Sequence, residues 1–330
     1  MLQQRLGLMM AGYPLRSLVE TARRADAAGF HSLWNGDGGD AFGPLIAYAL
    51  NTSRIRLGSG VAVWHRPPVI AASAALQVSG VSEGRSILGL GAGPKQWNED
   101  WWGIPFDKPI GRMREYASVI RAVFESGPGR PFSFAGQHFT VSHYQRANRH
   151  PAPPIFLGTV GTQMNRLAGE IADGALFDVL LSRRYLRERA IPAVEAGLAR
   201  SGRDRSGVTL GSMLCCIADP DERVALTAVK WGLLGHLPAE YFYPVWADDG
   251  FLAETREAQR RLLAGDPAGA VAALSDDFAR TVAVVGTPDD CRRQMTAWLD
   301  LVDFLALWAP ARPEAPHAST LDYLIETFAD

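Results

Sequence analysis

The segment SILGLGAGPKQWNEDWWGIPF, residues 86–106, combines a short apolar run with three alternating glycines, a lysine and three tryptophans. Glycine-rich loops that follow apolar strands often hold nucleotide phosphates, and a P-loop requires the pattern Gly-x-x-x-x-Gly-Lys-Ser/Thr. Here Pro94 separates Gly93 from Lys95, and Gln96 stands where the hydroxyl residue belongs. The segment is therefore not a P-loop.

A dinucleotide fingerprint, Gly-x-Gly-x-x-Gly, also fails here, because it would begin at Gly89 and place Pro94 at its third glycine. The remaining explanation is the carboxyl end of a strand in a parallel barrel, where glycines leave the backbone bare. Packing explains Gly89, because the interior of a narrow barrel favours small residues. For Gly91 and Gly93 we predict contact with a flat ligand.

Short apolar runs alternate with amphipathic segments along the chain. In the amphipathic segments, apolar residues such as Leu18, Ala22 and Ala25 recur at three- and four-residue intervals, which predicts helices. Eight strands are predicted, near residues 6–10, 32–35, 55–61, 86–90, 155–159, 174–179, 208–216 and 304–308. Their continuous apolar character is typical of a parallel sheet buried on both faces, so the predicted fold class is α/β, a (β/α)8 TIM barrel.

The sequence predicts one domain, residues 1–330, because no Gly/Ser-rich linker divides it. The segment FSFAGQHFTV predicts two short strands around Ala135–Gly136, a hairpin insertion after the fourth helix within about 128–152. The long stretch 236–280 predicts a helical insertion before the last strand. We expect that second insertion to cover the site.

Composition and charge narrow the class of partner. The 330 residues carry a net charge of −2, so nothing predicts binding to nucleic acid or to a membrane, and the expected partner is a small-molecule substrate. The three cysteines and the scattered histidines lack metal-ligand spacing, so no metal is expected. Because no signal peptide or membrane span is recognisable, the predicted location is cytoplasmic.

Five segments occur in the order, and with the spacing, of the bacterial luciferase-like superfamily. They are SRIRLGSGVAVWHRPP (53–68), SEGRSILGLGAG (82–93), WNEDWWGIPFDKPIGRMREY (97–116), PPIFLGTVGTQMNRLAGEIADGAL (153–176) and VVGTPDD (284–290). The chain thus resembles this superfamily over essentially its whole length, and it looks most like the branch that uses the deazaflavin coenzyme F420. The resemblance implies a (β/α)8 barrel that binds F420, or alternatively FMN, at the carboxyl ends of its strands.

The resemblance also implies where the cofactor ring lies. In LGSGVAV the superfamily places a backbone bulge, often with a cis peptide bond, behind the central ring of the cofactor. The matching bond in this chain joins Gly60 to Val61.

The segment from Gly158 to Thr162 predicts an anion site from its own residues. It passes from an apolar strand through Thr159, Val160 and Gly161 into a helix, so hydroxyls and unpaired amides meet at a helix N-terminus. Alternatively, Thr162 caps the helix and Gly161 turns the chain. The superfamily holds its cofactor phosphate here, and we predict phosphate binding at this segment.

Glu99 is the first candidate for acid–base chemistry. It matches a segment in which the superfamily can place an acid near the substrate. Burial beside Trp97 and Trp101 would favour its protonated form, which could donate a proton. The alternative is a solvated loop carboxylate.

Asp37 and His65 are the other catalytic candidates. Several deazaflavin-dependent relatives have Trp-x-x-Asp-His after strand two; Trp34 and Asp37 match, but Gly38 replaces the histidine. That proton donor is therefore missing, and Glu99, Asp37 or His65 must supply its role unless the reaction needs no acid there. His65 follows strand three on the correct face of a barrel, although a lone histidine is more often a hydrogen-bonded loop residue.

The implied reaction is hydride transfer between a reduced deazaflavin and an electrophilic carbon of a small organic substrate. Such a transfer requires mainly that the protein position the two reactants. One alternative is an FMN-dependent monooxygenase that uses a separate flavin reductase, and another is a non-catalytic barrel subunit. Relatives imply a homodimer. The aromatic segment LPAEYFYPVWADDGF, residues 237–251, would either close over the substrate or form a dimer contact.

Overall fold

The computed structural model describes residues 1–10, 14–36, 38–310 and 317–329. Its strands are β1 (Leu6–Met9), β2 (Ser32–Asn35), β3 (Arg56–Ser59), β4 (Ala62–Val63), β5 (Ser86–Gly91), β6 (Phe132–Ala135), β7 (Thr140–Tyr144), β8 (Ile155–Thr159), β9 (Gly174–Phe177), β10 (Thr209–Ala218), β11 (Ala283–Gly286) and β12 (Phe304–Trp308). Its helices are α1 (Leu15–Ala27), α2 (Gly43–Ala49), α3 (Pro68–Val81), α4 (Pro109–Glu125), α5 (Thr162–Ile171), α6 (Arg183–Tyr185), α7 (Ile191–Ser201), α8 (Glu222–Leu233), α9 (Tyr243–Asp248), α10 (Leu252–Leu263), α11 (Pro267–Ala273), α12 (Asp276–Val282), α13 (Pro288–Leu299) and α14 (His317–Phe328).

Eight parallel strands close into a barrel, in the order β1-β2-β3-β5-β8-β9-β10-β12, with β12 returning to β1. Every residue of β1, β2 and β9 is buried, since the sheet is covered on both faces. Helices connect successive strands, and the predicted (β/α)8 barrel is confirmed.

Three aromatic rings fill the lower part of the barrel. Trp34, Phe156 and Phe304 come from strands that are not neighbours, so their rings can meet only inside. Trp34 and Phe304 stack with centroids 5.5 Å apart, and Phe156 lies 6.4 Å from Phe304. Each ring lies against a strand glycine, and a methyl group on that glycine would collide with the ring. The pairs are Trp34 with Gly58, Phe156 with Gly174, and Phe304 with Gly211. Glycines within the strands therefore make room for a bulky core.

Two elements differ from the predicted strands. The predicted strand 55–61 ends at Ser59 as β3, because the chain leaves the regular ladder at Gly60, and the two-residue β4 follows beyond the predicted end. The strand β11 was not predicted, because four apolar residues between two helices carry no periodic signal. It pairs with the last four residues of β10, which extends to Ala218 as a result.

Two additions surround the barrel. The strands β6 and β7 form an antiparallel hairpin, which Glu115 of α4 holds by accepting the backbone N–H groups of residues 137–139. The helices α9 to α12 lie between α8 and β11. Among the described residues, no helix combines the length and apolar character needed to cross a membrane.

Candidate active site

The alternating glycines of β5 make room for side chains from the neighbouring segment. A methyl group on Gly91 would overlap the Val61 side chain, and one on Gly158 would lie 2.8 Å from the same valine. A methyl group on Gly93 would lie 3.0 Å from Val63 Cγ1, and Gly93 has a φ of +67°. The bare face of Gly91 is therefore covered by protein, and a flat ligand does not reach it as the sequence analysis expected.

The peptide bond between Gly60 and Val61 is cis, as the resemblance implies. The Gly60 N–H donates to the carbonyl of Asn35 at 2.8 Å, which ties the bulge to the end of β2. A methyl group on Gly60 would lie 3.3 Å from both Met9 Cε and the Cβ of Trp34. The bulge thus sits above the aromatic core, and Gly60 and Val61 stay partly exposed at the carboxyl end of the barrel.

The start of helix α5 is exposed, and no side chain covers its first amides. Gly161 is the N-cap and no side chain caps the helix, so the alternative in which Thr162 is the cap is wrong. Both residues are exposed, and a methyl group on Gly161 would meet no atom within 4 Å. The first N–H groups of a helix have no partner within it, so this end favours an anion.

Thr159, the last residue of β8, lies two residues before the N-cap of α5 and carries a hydroxyl. Its side chain is buried, and within the described residues Oγ1 has no hydrogen-bond partner. The carbonyl of Val160 is engaged, because it accepts from Asn165 Nδ2 at 3.0 Å and from the Tyr185 hydroxyl at 3.2 Å. A buried hydroxyl without a partner beside an uncapped helix suits the oxygens of a phosphate.

Asn98 organises the loop after β5, a role that the sequence analysis did not assign. Its side chain is fully buried, and Oδ1 accepts from Trp64 Nε1 at 2.6 Å. Its Nδ2 donates to the carbonyls of Ala92 at 2.8 Å and Pro94 at 2.9 Å. One amide therefore holds both ends of the turn against the segment that follows β4.

Glu99 is not buried, which corrects the expectation from the sequence. Its side chain is 41% exposed, with an oxygen 3.8 Å from Lys95 Nζ, and it accepts the Phe106 N–H at 3.4 Å. Trp97 stacks on Trp101 at 4.8 Å instead of covering the carboxylate. The catalytic role of Glu99 stays a prediction, without the burial that supported it.

His65 lies beside an open cleft. Its ring stacks on Trp102 with centroids 4.2 Å apart. The cleft has a volume of about 420 Å³, within the range of small-molecule sites. Its lining comes from the loop after β4, the start of α3 and the hairpin: Trp64, His65, Pro67, Pro68, Val69, His138, Phe139, Thr140 and Val141. The third candidate, Asp37, lies outside the described residues.

The structure adds Asp178, which the sequence analysis missed. It follows β9, where Gly174 faces the ring of Phe156 inside the barrel, so strand alternation also directs Leu176 and Asp178 inward. Its N–H donates to the carbonyl of Thr159 at 3.0 Å. Burial raises the pKa of the Asp178 carboxyl to about 6, although the Val179 N–H donates to it. An acid directly after an apolar barrel strand was the available signal.

The segment before α9 reaches the carboxyl end of the barrel. The ring of His236 stands edge-on to Trp308, the last residue of β12, at 5.1 Å. Burial raises the pKa of the Tyr241 hydroxyl, and the charge of Asp178 raises it further, so Tyr241 lies within electrostatic reach of Asp178. Whether the aromatic segment 237–251 closes over a substrate or forms a dimer contact stays a prediction.

The fold and the site define a (β/α)8 barrel whose cis peptide bond, uncapped helix and inward carboxyl share one rim. The chain belongs to the luciferase-like monooxygenase family, whose model matches residues 1–303. An uncharacterized protein of Mycobacterium tuberculosis is 33% identical over 289 residues, covering 82% of this chain and 84% of that protein. The 5,10-methylenetetrahydromethanopterin reductase of Archaeoglobus fulgidus is 29% identical over 274 residues, covering 81% of each.

A solved structure shares the same fold. It is the coenzyme F420-dependent tetrahydromethanopterin reductase of Methanopyrus kandleri, with a TM-score of 0.79 and 22% identity. The match covers 98% of this chain and 96% of that one.

Proposed function

We propose that the protein is an F420-dependent oxidoreductase that transfers a hydride between the reduced deazaflavin and a small organic substrate. The relative from Archaeoglobus fulgidus supports this proposal, and so does the likeness in fold to an F420-dependent reductase. The observation that carries it is the buried Thr159 hydroxyl, which has no hydrogen-bond partner among the described residues and lies two positions before the uncapped start of α5.

The residues at this rim fit the chemistry of such a cofactor. The Thr159 hydroxyl and the first amides of α5 would hold a phosphate, because both donate hydrogen bonds and the helix end carries partial positive charge. Val61, partly exposed on the bulge, would support the flat ring. When bound, the cofactor would carry the hydride, and the protein would position the cofactor and the substrate.

The protein's own contribution is orientation and exclusion of water. Asn98 fixes the loop after β5 on one side of the mouth. On the other side, His236 packs edge-on against Trp308 at the end of β12, and Tyr241 lies within electrostatic reach of Asp178. A substrate held between these two sides would meet one face of a ring supported on the other by Val61.

The test is a titration of the purified protein with F420 and, separately, with FMN, followed by fluorescence and calorimetry. We expect saturable F420 binding and much weaker FMN binding. Gly161→Asp should abolish F420 binding, because it places a negative charge in front of the α5 amides, while the circular dichroism of the barrel stays unchanged. Preference for FMN would favour the monooxygenase alternative, and binding of neither cofactor to a folded protein would overturn the proposal in favour of a non-catalytic subunit.

A further inference from the structure

The inner wall of the barrel mouth is apolar around Asp178. Alternation along the strands places these neighbours on the inward face near the rim: Met9, Val61, Gly158, Met213 and Ala306. None of them can titrate or carry charge. Among the described residues at these inward positions, Asp178 is therefore the residue that carries a carboxyl group.

Asp178 is held firmly but remains accessible. Its N–H donates to the carbonyl of Thr159, and its Oδ1 accepts the Val179 N–H at 2.8 Å. The residue is half-buried, and Val179 and Leu180, which follow it, are buried. A fixed backbone thus holds the carboxyl at an inward position at the carboxyl end of the barrel.

We infer that Asp178 is the proton-transfer residue of the substrate chamber. It gives a proton to a substrate oxygen or nitrogen when the adjoining carbon is reduced, and it takes the proton back when that carbon is oxidised. This inference rests on the proposed function, which supplies the hydride.

The step balances with one hydride and one proton. In the reducing direction, the two electrons of the hydride form a new C–H bond, and the carbon–oxygen or carbon–nitrogen double bond becomes single. The heteroatom takes the Asp178 proton, the carboxyl becomes a carboxylate, and solvent at the mouth returns a proton to it. The cofactor is oxidised by two electrons and the substrate is reduced by two.

The surroundings of Asp178 suit this role. Burial holds the pKa of its carboxyl at about 6, so both protonation states are available near neutral pH. On the flanking strand β10, strand alternation directs Met213 and Cys215 inward, and burial raises the pKa of the Cys215 thiol far above this range. Tyr241 lies within electrostatic reach of Asp178, and its raised pKa keeps the phenol neutral.

The other described candidates are placed less well. Glu99 is exposed and lies close to Lys95. His65 stacks on Trp102 beside the cleft near the hairpin. Neither lies at an inward position of a barrel strand.

The experiment follows the titration of carboxyl groups by infrared difference spectroscopy between pH 4 and pH 8, in protein alone and in protein saturated with oxidised F420. Wild type is compared with Asp178→Asn, which preserves the side-chain oxygen that accepts from Val179. Glu99→Gln removes the rival carboxyl, and Asp100→Asn is the control at an exposed acid of the same rim loop. Circular dichroism confirms that each variant is folded, and Asp178→Glu provides a second variant that keeps a carboxyl if Asp178→Asn does not fold.

We expect one carboxyl band with a midpoint near pH 6. It should be missing in Asp178→Asn and kept in the Glu99 and Asp100 variants. Bound F420 should raise that midpoint by about half a pH unit or more, because a ring over the mouth removes water from the carboxyl. By linkage, F420 should bind wild type about threefold more tightly at pH 5 than at pH 7.5, and Asp178→Asn should lose this component of the pH dependence.

The outcomes separate the two proposals. Saturable F420 binding with an unmoved midpoint, or loss of the band in Glu99→Gln, overturns the role of Asp178 and leaves the proposed function standing. Absence of F420 binding to the folded wild type overturns both.

Discussion

The side chain of Val61 lies in the space that a side chain on Gly91 would occupy, with its Cγ2 atom turned toward that glycine. Val61 belongs to the bulge between β3 and β4, and Gly91 ends β5, the next strand of the barrel. The bulge can cross the mouth because β5 offers no side chain there.

Gly91→Ala is expected to lower the free energy of unfolding by about 1–3 kcal/mol, because the added methyl group overlaps Val61. Urea unfolding followed by tryptophan fluorescence measures the change. Gly207→Ala is the matched control, since its added methyl group meets no atom within 4 Å. Combining Gly91→Ala with Val61→Ala should recover part of the loss, and an unchanged Gly91→Ala protein would contradict this packing.

Asn98→Ala is expected to destabilise the protein by about 2–4 kcal/mol, because it removes the side-chain partner of the buried Trp64 Nε1 and of the Ala92 carbonyl. The Pro94 carbonyl keeps the backbone N–H of residue 98. A double-mutant cycle with Trp64→Phe isolates the 2.6 Å hydrogen bond. If the two substitutions are additive in chemical denaturation, this bond does not stabilise the loop.

Thr159→Val should act in opposite directions on stability and on binding. In the part of the chain that the structure describes, this buried hydroxyl has no hydrogen-bond partner, so its removal should leave the free protein as stable as wild type, or more stable by up to about 1 kcal/mol. If the hydroxyl donates to a cofactor phosphate, the affinity for F420 should fall on the order of tenfold. Thermal unfolding and the F420 titration measure the two effects, and Thr227→Val on the surface of α8 is the control. Equal affinity in wild type and Thr159→Val would remove Thr159 from the phosphate site.

Acid is expected to destabilise the protein through two half-buried histidines. Burial lowers the pKa of His31 and of His236 from 6.5 to about 4. Between these values the unfolded chain binds more protons than the folded one, so stability falls as the pH drops from 6.5 to 4. Each histidine contributes at most about 1.4 kcal/mol per pH unit. Asp178, with a pKa raised to about 6, contributes stability that is lost as the pH rises from about 4 to 6, which opposes the histidines.

Variants separate these contributions. His31→Gln and His236→Gln should each flatten the loss of stability between pH 6.5 and 4, and Asp178→Asn should steepen it. Denaturant unfolding at half-unit pH steps measures the slopes. A slope that none of the three substitutions changes would show that other groups control the acid response.

The barrel could be predicted from local patterns. Runs such as Gly174–Phe177 are apolar at every position because both faces of a parallel strand are buried. The short strand β11 could not be predicted, because four apolar residues fit a helix as well as a strand and only the edge of β10 decides between them.

The candidate site could also be predicted only in part. The sequence and its resemblance led to the cis bond at Gly60–Val61 and to the start of α5, since both follow from contiguous residues. Glu99 was expected to be buried because tryptophans surround it in sequence. In the fold those rings stack on one another and leave the carboxylate exposed.

The barrel, its family and the contiguous segments that end its strands follow from the amino-acid sequence, because periodicity and local motifs are properties of neighbouring residues. Three relations emerge in the folded chain alone: Val61 fills the space beside Gly91, Asn98 ties the rim loop to Trp64, and Asp178 lies within electrostatic reach of Tyr241. Each of these relations joins residues far apart in the chain, and closing the barrel brings them together.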